Sequence, residues 1–242
     1  MEYSGYDQRF ESGGIRLYQA DCMKMLPQIP DKYYSLCICD PPYGIGEDGG
    51  SNHSRGTLCE ATKYAIKGWD RIPPSAEYFK ELLRVSRNQI IWGANHFIDR
   101  IPLPSPCWII WDKVNYGNDF ADCELALTSF KTAARKFTFQ WSGMLQGDMK
   151  NKEKRIHPTQ KPVRLYEWLL KNYAKPGDKI LDTHCGSGSI LIACDIMGYD
   201  IDAYEIDLEY FTAAKARLAR HQQQGFMILE PPRPTPLQVE AL

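Results

Sequence analysis

The sequence predicts an α/β protein with a doubly wound, mostly parallel sheet. Three observations lead to this class. The segment KILDTHCGSGSILIACDIMGYDIDAYEID reads as a strand (179–182), a glycine loop (184–188), a helix (189–197) and a second strand (201–206). Short apolar runs such as LCIC (36–39) are typical of buried parallel strands. Segments with helical apolar spacing lie between these runs, as the two layers of helices in a doubly wound fold require.

The first half of the chain contributes strands, two helices and one long loop. IRLYQ (15–19) predicts the first strand, and CMKMLPQI predicts a short helix before the strand at 36–39. Residues 44–70 form a polar loop that is too long for a simple connector and is therefore a candidate for function. SAEYFKELLRVSR (75–87) has a serine start and predicts an amphipathic helix. NQIIWGAN and CWIIWDK then predict two buried parallel strands.

The second half is less regular until the glycine unit. ELALTSF and KFTFQW predict a pair of strands, and VRLYEWLLKNY predicts an amphipathic helix. LEYFTAAKARLARHQQQ predicts a last helix. We therefore expect one domain over 1–225, with short insertions near 44–70 and 114–156 and a proline-rich tail at 226–242.

The composition excludes several classes of protein. A net charge of −1, with 43% apolar and 24% charged residues, is ordinary for a soluble globular protein and gives no global attraction to nucleic acid or membranes. No run of about 18 apolar residues occurs, so no membrane span is expected. The first residues lack the organisation of a signal peptide. The eight cysteines form no Cys-x-x-Cys pair, so we expect reduced thiols, a cytoplasmic protein and no metal site.

One segment departs from this neutral balance. Residues 131–161 carry eight basic residues against Asp148 and Glu153, a local excess of six positive charges with aromatic residues interleaved. Phosphate and base contacts need this combination, although most charged segments are simply solvated loops. The candidate nucleic-acid contacts are Lys131, Arg135, Lys136, Lys150, Lys152, Lys154 and Arg155.

The glycine loop ILDTHCGSGS predicts a nucleotide-type ligand at the carboxyl end of its strand. Gly186 and Gly188 allow close approach of the backbone, but Leu191 occupies the third glycine position of the dinucleotide fingerprint, and no Walker lysine follows. Two acids stand at strand ends instead, Asp182 and Glu205. Carboxylates accept hydrogen bonds from ribose and favour a cationic ligand such as S-adenosylmethionine. A plain strand–helix–strand turn with incidental acids is the alternative.

The position of this loop in the chain predicts a circular permutation. Only one further strand follows it, so most of the sheet must come earlier, including the strand that ends at Asp40. Because carboxyl ends of parallel strands meet at one edge of a sheet, Asp40 and the glycine loop are expected on the same edge.

These motifs in combination resemble the permuted "beta" group of DNA amino-methyltransferases. The resemblance runs from about residue 15 to 220 and includes DPPY (40–43), WGANHF (92–97), WDK (111–113), HPTQKP (157–162) and DTHCGSGS. It implies a Rossmann-like methyltransferase fold and transfer of a methyl group from S-adenosylmethionine to adenine N6 or cytosine N4 in DNA. The target base would be flipped out of the duplex. No nuclease motif is visible, so a restriction partner would be a separate chain.

The chemistry of amine methylation explains DPPY. The resemblance and the chemistry together assign catalytic roles to four consecutive residues: Asp40, Pro41, Pro42 and Tyr43. The Asp40 carboxylate and the Pro41 carbonyl would accept the two amine N–H groups and stabilise the developing positive charge. The prolines make the turn rigid, and Tyr43 offers a stacking face. Asp rather than Ser at position 40 indicates the adenine group; cytosine N4 is the alternative.

The resemblance also implies cofactor contacts in several stretches: Asp21, Cys22, Asp40, Thr159, Lys161, Asp182, Gly186, Ser187, Gly188 and Glu205. Asp21 and Cys22 match positions beside the adenine ring, and Thr159 and Lys161 match positions near the methionine carboxylate. His157 and His184 are interpreted as positioning residues, since transfer needs no general base beforehand. His53, His96 and His221 show no partner in the sequence.

Two other classes of function stay open at this stage. An RNA or protein-amide methyltransferase could use a similar acceptor turn, and a non-catalytic nucleotide-binding module would bind cofactor without turnover. The intact DPPY disfavours the second, and the basic segment favours DNA. The resemblance implies target recognition by the short insertions near 44–70 and 114–156, and the alternative is a specificity that is low or that depends on a homodimer.

Overall fold

The structure is a computed structural model that describes residues 3–48, 67–116, 121–142 and 145–229. Most of the polar loop predicted at 44–70, small parts of the insertion at 114–156 and the end of the tail at 226–242 lie outside the described residues. So do His53 and Cys59. The remaining predictions can be compared with the structure directly.

The first part of the chain alternates strands and helices. Its strands are β1 (Gln8–Ser12), β2 (Ile15–Gln19), β3 (Tyr34–Cys39), β4 (Ser86–Trp92) and β5 (Trp108–Asp112). Its helices are α1 (Cys22–Met25) and α2 (Ala76–Val85), with short 3-10 turns at Leu26–Gln28, Ala94–His96 and Ile98–Arg100. Helix α2 begins at the predicted serine, because the Ser75 hydroxyl accepts a hydrogen bond from the Tyr78 N–H.

The second part adds more strands before it returns to alternation. Its strands are β6 (Cys123–Thr128), β7 (Arg135–Thr138), β8 (Trp141–Ser142), β9 (Leu145–Gln146), β10 (Lys179–Asp182) and β11 (Asp200–Glu205). Its helices are α3 (Val163–Tyr173), α4 (Ser189–Met197) and α5 (Leu208–Leu229). Gly198, in the left-handed conformation, ends α4.

Among the described residues, nine strands form one sheet in the order β1-β2-β11-β10-β3-β4-β6-β5-β7. From β2 to β4 all neighbours are parallel; β1 and β6 run antiparallel to theirs. The predicted α/β class and the permutation are confirmed, because the glycine strand β10 comes late in the chain yet lies beside β3.

One predicted strand pairing is wrong. β6 and β7 are both strands, as ELALTSF and KFTFQW predict, but they are not neighbours. β6 lies between β4 and β5, and β7 pairs in parallel with β5 at the edge of the sheet. Strands adjacent in sequence commonly pair with each other, and the insertion of β6 between β4 and β5 prevents that pairing here.

Alternate residues of the central strands pack on opposite faces of the sheet. Leu36 and Ile38 join a core closed by α3 and α4, whereas Cys37 and Cys39 join a second core closed by α2. The fold is therefore three-layered around a buried sheet. No helix in the described part of the chain is long and apolar enough to cross a membrane. Within the same ranges, no group of three or more His, Cys, Asp or Glu side chains could hold a metal ion.

Candidate active site

Acidic residues collect at the carboxyl ends of four adjacent strands. Asp21 follows β2, Glu205 ends β11, Asp182 ends β10 and Asp40 follows β3. Because β2, β11, β10 and β3 are consecutive and parallel, these residues lie along one edge of the sheet. The structure thus brings the DPPY turn and the glycine loop to the same edge.

The Asp40 carboxylate is held at both oxygens. Oδ1 accepts a hydrogen bond from the Tyr43 hydroxyl at 2.7 Å, and Oδ2 accepts one from the Lys161 ammonium at 2.5 Å. A carboxylate offers about four acceptor positions, so these two bonds fix its orientation and leave capacity for a further donor. The Asp40 side chain keeps 16% of its surface exposed, which allows a ligand to reach it.

Glu124, which sequence reasoning missed, completes this arrangement from β6. Its Oε2 lies 2.9 Å from the Lys161 ammonium, and its other oxygen pairs with Lys113. Lys161 is only 3% exposed and also donates to the Tyr43 hydroxyl at 3.1 Å. Two ammonium groups therefore balance two carboxylates in a partly buried network. We name this set of Asp40, Glu124, Lys113 and Lys161 the acceptor network.

The charges in the acceptor network depend on one another. Burial raises the pKa of Asp40, and the nearby Lys161 ammonium opposes that rise. Burial also acts to raise the pKa of Glu124, but Lys113 and Lys161 outweigh it and lower that pKa to about 2. Burial acts to lower the pKa of Lys161, yet Asp40 and Glu124 outweigh it, so the ammonium stays charged. Lys161 is thus the group that favours an ionised Asp40.

Tyr43 is packed as well as hydrogen-bonded. Its ring stacks on His96 at 5.0 Å between centroids, with 17° between planes, so His96 does have a partner. Gly93 lies against the same ring with a φ of 68°, and a Cβ there would be 2.0 Å from Tyr43 Cε1. The WGANHF motif therefore supports the ring on which the target base is predicted to stack.

We expect Gly93→Ala to destabilise the protein and to displace Tyr43. The left-handed backbone and the clash each cost about 1–3 kcal/mol, which urea denaturation would measure. Gly13→Ala is the matched control, because Gly13 has a φ of 59° and no atom lies within 4 Å of the position that a Cβ would take there. Equal decreases in the free energy of unfolding for the two variants would contradict the packing role of Gly93.

The glycine loop is tied to the acid at the end of β11. Glu205 Oε2 accepts the Gly186 N–H at 2.7 Å, and Oε1 accepts the Asp207 N–H at 2.9 Å. Gly186 and Gly188 have φ values of 51° and 72°, which glycine adopts without strain. Ser187 is buried between them. Glu205 thus shapes the loop and keeps acceptor capacity for a ligand hydroxyl.

We expect Glu205→Ala to weaken S-adenosylmethionine binding by about 10- to 100-fold, the size of one or two lost charge-assisted hydrogen bonds. Isothermal titration calorimetry would measure the dissociation constant. Asp200→Ala, at the exposed opposite end of the same strand, is the control. A dissociation constant unchanged by Glu205→Ala would count against the ribose role.

The other predicted cofactor residues surround this loop. The Asp182 carboxylate accepts the His184 N–H at 3.0 Å, and burial raises its pKa to about 8. Asp21 caps α1 through the Met23 N–H at 2.9 Å, and Cys22 is buried beside it. Thr159 is exposed, and its hydroxyl lies 3.1 Å from His157 Nδ1. The Lys161 ammonium group contacts Asp40, Glu124 and Tyr43, and its contact with the methionine carboxylate stays a prediction.

Desolvation favours the neutral form of both His157, which is buried, and His184, which is half-buried. Burial lowers the pKa of His157 to about 3 and that of His184 to about 4. The His157 ring lies between Trp69, at 5.2 Å, and Tyr210, at 4.2 Å between centroids. The positioning role of both histidines stays a prediction.

The predicted nucleic-acid contacts fall into two groups. Arg135 and Lys136 lie on the edge strand β7, and Lys136 pairs with Asp112 at 3.2 Å. The second group lies between β9 and α3. Its exposed members are Lys150, Lys152 and Lys154, whereas Arg155 is half-buried over the Trp141 ring at 4.6 Å. Lys131 is exposed just before β7.

Comparison with known proteins gives one consistent result. Residues 104–216 match the N6/N4 methyltransferase family, described as DNA methylase. The type II methyltransferase M.HinfI of Haemophilus influenzae is 25% identical over 245 residues, covering 84% of this chain and 67% of the relative. M2.LlaDCHI of Lactococcus lactis subsp. cremoris is 26% identical over 259 residues, covering 89% and 93%.

Solved structures share the fold at lower identity. The M1.HpyAVI–SAM complex superposes with a TM-score of 0.52 at 22% identity, covering 84% of this chain and all of that one (100%). PvuII DNA methyltransferase, described as cytosine-N4-specific, gives a TM-score of 0.56 at 11% identity, covering 91% and 96%. The edge that carries the DPPY turn and the glycine loop therefore belongs to an architecture found in DNA methyltransferases.

Proposed function

We propose that this chain is an S-adenosylmethionine-dependent DNA methyltransferase of the N6/N4 family and that it methylates N6 of adenine in double-stranded DNA. The observation that supports the proposal most is the orientation of the Asp40 carboxylate by Tyr43 and Lys161, directly before the Pro41 carbonyl. Asp at this position, rather than Ser, favours adenine over cytosine.

The acceptor network suits an exocyclic amine. The lone pair of such an amine is delocalised into the base, so the amine is a poor nucleophile. Acceptors on both N–H groups favour a tetrahedral nitrogen and stabilise the positive charge that develops there. The Asp40 carboxylate and the Pro41 carbonyl are the proposed acceptors, and the half-buried ring of Tyr43 lies beside them.

The residues of the glycine loop edge fit S-adenosylmethionine. This cofactor carries ribose hydroxyls and a methyl group on a cationic sulfur, which is the chemistry it supplies. Asp21 after β2 and Glu205 at the end of β11 provide acceptors for hydroxyls and an environment suited to a cation, and the Asp182 carboxyl group at the end of β10 is a further hydrogen-bonding group beside them. Gly186, Ser187 and Gly188 would hold its amino-acid end, and Cys22 and Thr159 would border the pocket.

Double-stranded DNA is the proposed partner, and its target base would have to leave the stack to reach Asp40, which costs a few kcal/mol. The exposed lysines 150, 152 and 154 support phosphate contacts outside the pocket. Cytosine N4 stays the second candidate, because the PvuII enzyme with the same fold is described as cytosine-N4-specific.

The substrate class can be tested with radiolabelled S-adenosylmethionine. Unmethylated duplex DNA, RNA and a protein extract are offered separately, and the label incorporated into each is counted. We expect incorporation into DNA, decreasing steeply as salt rises because phosphate contacts release counterions. Incorporation into RNA or protein with none into DNA would overturn the proposed substrate. The methylated base is identified separately by nucleoside analysis.

A further inference from the structure

A largely buried ion pair links the basic segment, helix α5 and the glycine loop. Glu153 Oε2 lies 2.5 Å from Arg217 Nη2, and the two side chains are 18% and 10% exposed. Glu153 belongs to the segment that carries the exposed lysines, and Arg217 belongs to α5. Neither residue was a candidate in the sequence, where Glu153 is one acid within a basic stretch.

Arg217 connects this pair to the glycine loop. Its Nη1 donates to the Ser187 carbonyl at 2.9 Å and to the Ser189 hydroxyl at 2.8 Å. The Ser189 hydroxyl in turn donates to the Lys161 carbonyl at 2.7 Å. One guanidinium therefore holds the backbone of the cofactor loop and, through Ser189, the backbone of the residue whose ammonium group holds Asp40.

Glu153 connects the pair to the basic segment. Its main chain is fixed by both ends of the Gln146 amide, with two hydrogen bonds of 2.8 Å. Its second carboxylate oxygen accepts the Val163 N–H at 2.9 Å, at the start of α3. Lys152 and Lys154, the residues on either side, are exposed. Because Glu153 lies between these two lysines in the chain, a backbone shift at the lysines would also displace Glu153.

We propose that Glu153 and Arg217 are positioning residues that couple DNA engagement by the Lys150–Lys154 segment to the shape of the cofactor loop. The proposal rests on the proposed function, because it takes DNA as the ligand of the lysines. The pair touches neither substrate nor reacting atoms. Coupling of this kind requires that DNA and cofactor each stabilise the same arrangement of the network, and by linkage the effect is reciprocal.

The test is the dissociation constant of S-adenosylmethionine, measured by calorimetry with and without a saturating unmethylated DNA duplex. For the wild-type protein we expect DNA to tighten cofactor binding about fivefold or more. We call the dissociation constant without DNA divided by that with DNA the coupling ratio. For Glu153→Gln we expect the coupling ratio to fall to near one and cofactor binding without DNA to weaken. Arg217→Gln should behave alike, and the double variant should be no worse than either single variant, because the two residues act as one unit.

Two matched control variants change charged residues on α5, which carries Arg217, and on α3, whose first N–H donates to Glu153. Arg220→Gln changes an exposed arginine one turn further along α5, and Glu167→Gln changes an acid of α3 that pairs with Arg164. Both should keep the wild-type ratio. Arg217→Lys keeps a cation beside Glu153 and serves as the second variant if Arg217→Gln does not fold; it should keep part of the ratio.

Two outcomes would overturn the coupling. The first is a wild-type ratio in Glu153→Gln, whether or not its cofactor binding weakens, since a merely structural pair would change affinity without changing the ratio. The second is a wild-type protein in which DNA leaves cofactor affinity unaltered. Failure of the proposed function is distinguishable, because it appears as absent methyl transfer from the wild-type protein to DNA in the separate labelling assay.

Discussion

Asp40→Ala is expected to reduce the rate of methyl transfer by about 10³-fold or more, because the principal acceptor for the amine is lost. The S-adenosylmethionine dissociation constant should change little, since the carboxylate acts on the base. Single-turnover kinetics with saturating cofactor would measure the first quantity, and calorimetry the second. Asp40→Asn keeps one acceptor oxygen without the charge, so its transfer rate should lie between that of the wild-type protein and that of the alanine variant.

Asp195→Ala is the control for this series, because Asp195 is an acid on the last turn of α4, where it pairs with His221 and Gln222. Its transfer rate should match the wild-type rate. An Asp40→Ala protein that folds, binds cofactor and retains a near-native rate would show that the carboxylate is not the acceptor.

Lys161→Met is expected to lower the transfer rate by about 10²- to 10³-fold at neutral pH, a loss comparable to that of one preorganised charged contact. The variant leaves Asp40 and Glu124 close together without the shared ammonium. Burial and the like charge of Glu124 then raise the pKa of Asp40 further, so the protonated form, which is a weaker acceptor for the amine, becomes more populated.

The sign of the pH dependence follows from this shift. Asp40 must be ionised, so the rate rises with pH through its pKa, and Lys161→Met should move that rise to higher pH. Part of the lost activity should therefore return as pH increases. Lys171→Met, an exposed lysine of α3, is the control. A variant with a wild-type rate profile but much weaker cofactor binding would instead support contact between Lys161 and the methionine carboxylate.

The parts of this fold that local pattern determines were predictable. The strand, glycine loop, helix and strand from β10 to β11 follow from apolar runs and from glycines that permit left-handed backbone. The shared edge of Asp40 and Glu205 follows from a general property of parallel sheets. These rules need no knowledge of which distant strands become neighbours.

The parts that depend on distant pairing were not predictable in the same way. Glu124 stands near the start of β6, directly before three consecutive apolar residues, and an acid at such a place is equally typical of an exposed strand end. Only the placement of β6 beside β4 brings its carboxylate to Lys161. The stacking of His96 on Tyr43 and the pairing of Glu153 with Arg217 likewise join residues from separate elements. For Glu124, the one signal in the sequence was an acid in an otherwise apolar strand segment.

The most direct measurement of the central claim is the identity of the methylated nucleoside. The protein is incubated with S-adenosylmethionine and unmethylated DNA, the DNA is digested, and the nucleosides are compared by mass spectrometry with both methylated standards. We predict N6-methyladenine from the wild-type protein and none from Asp40→Ala. N4-methylcytosine would contradict the adenine assignment, and a product that persists in Asp40→Ala would contradict the acceptor role of Asp40.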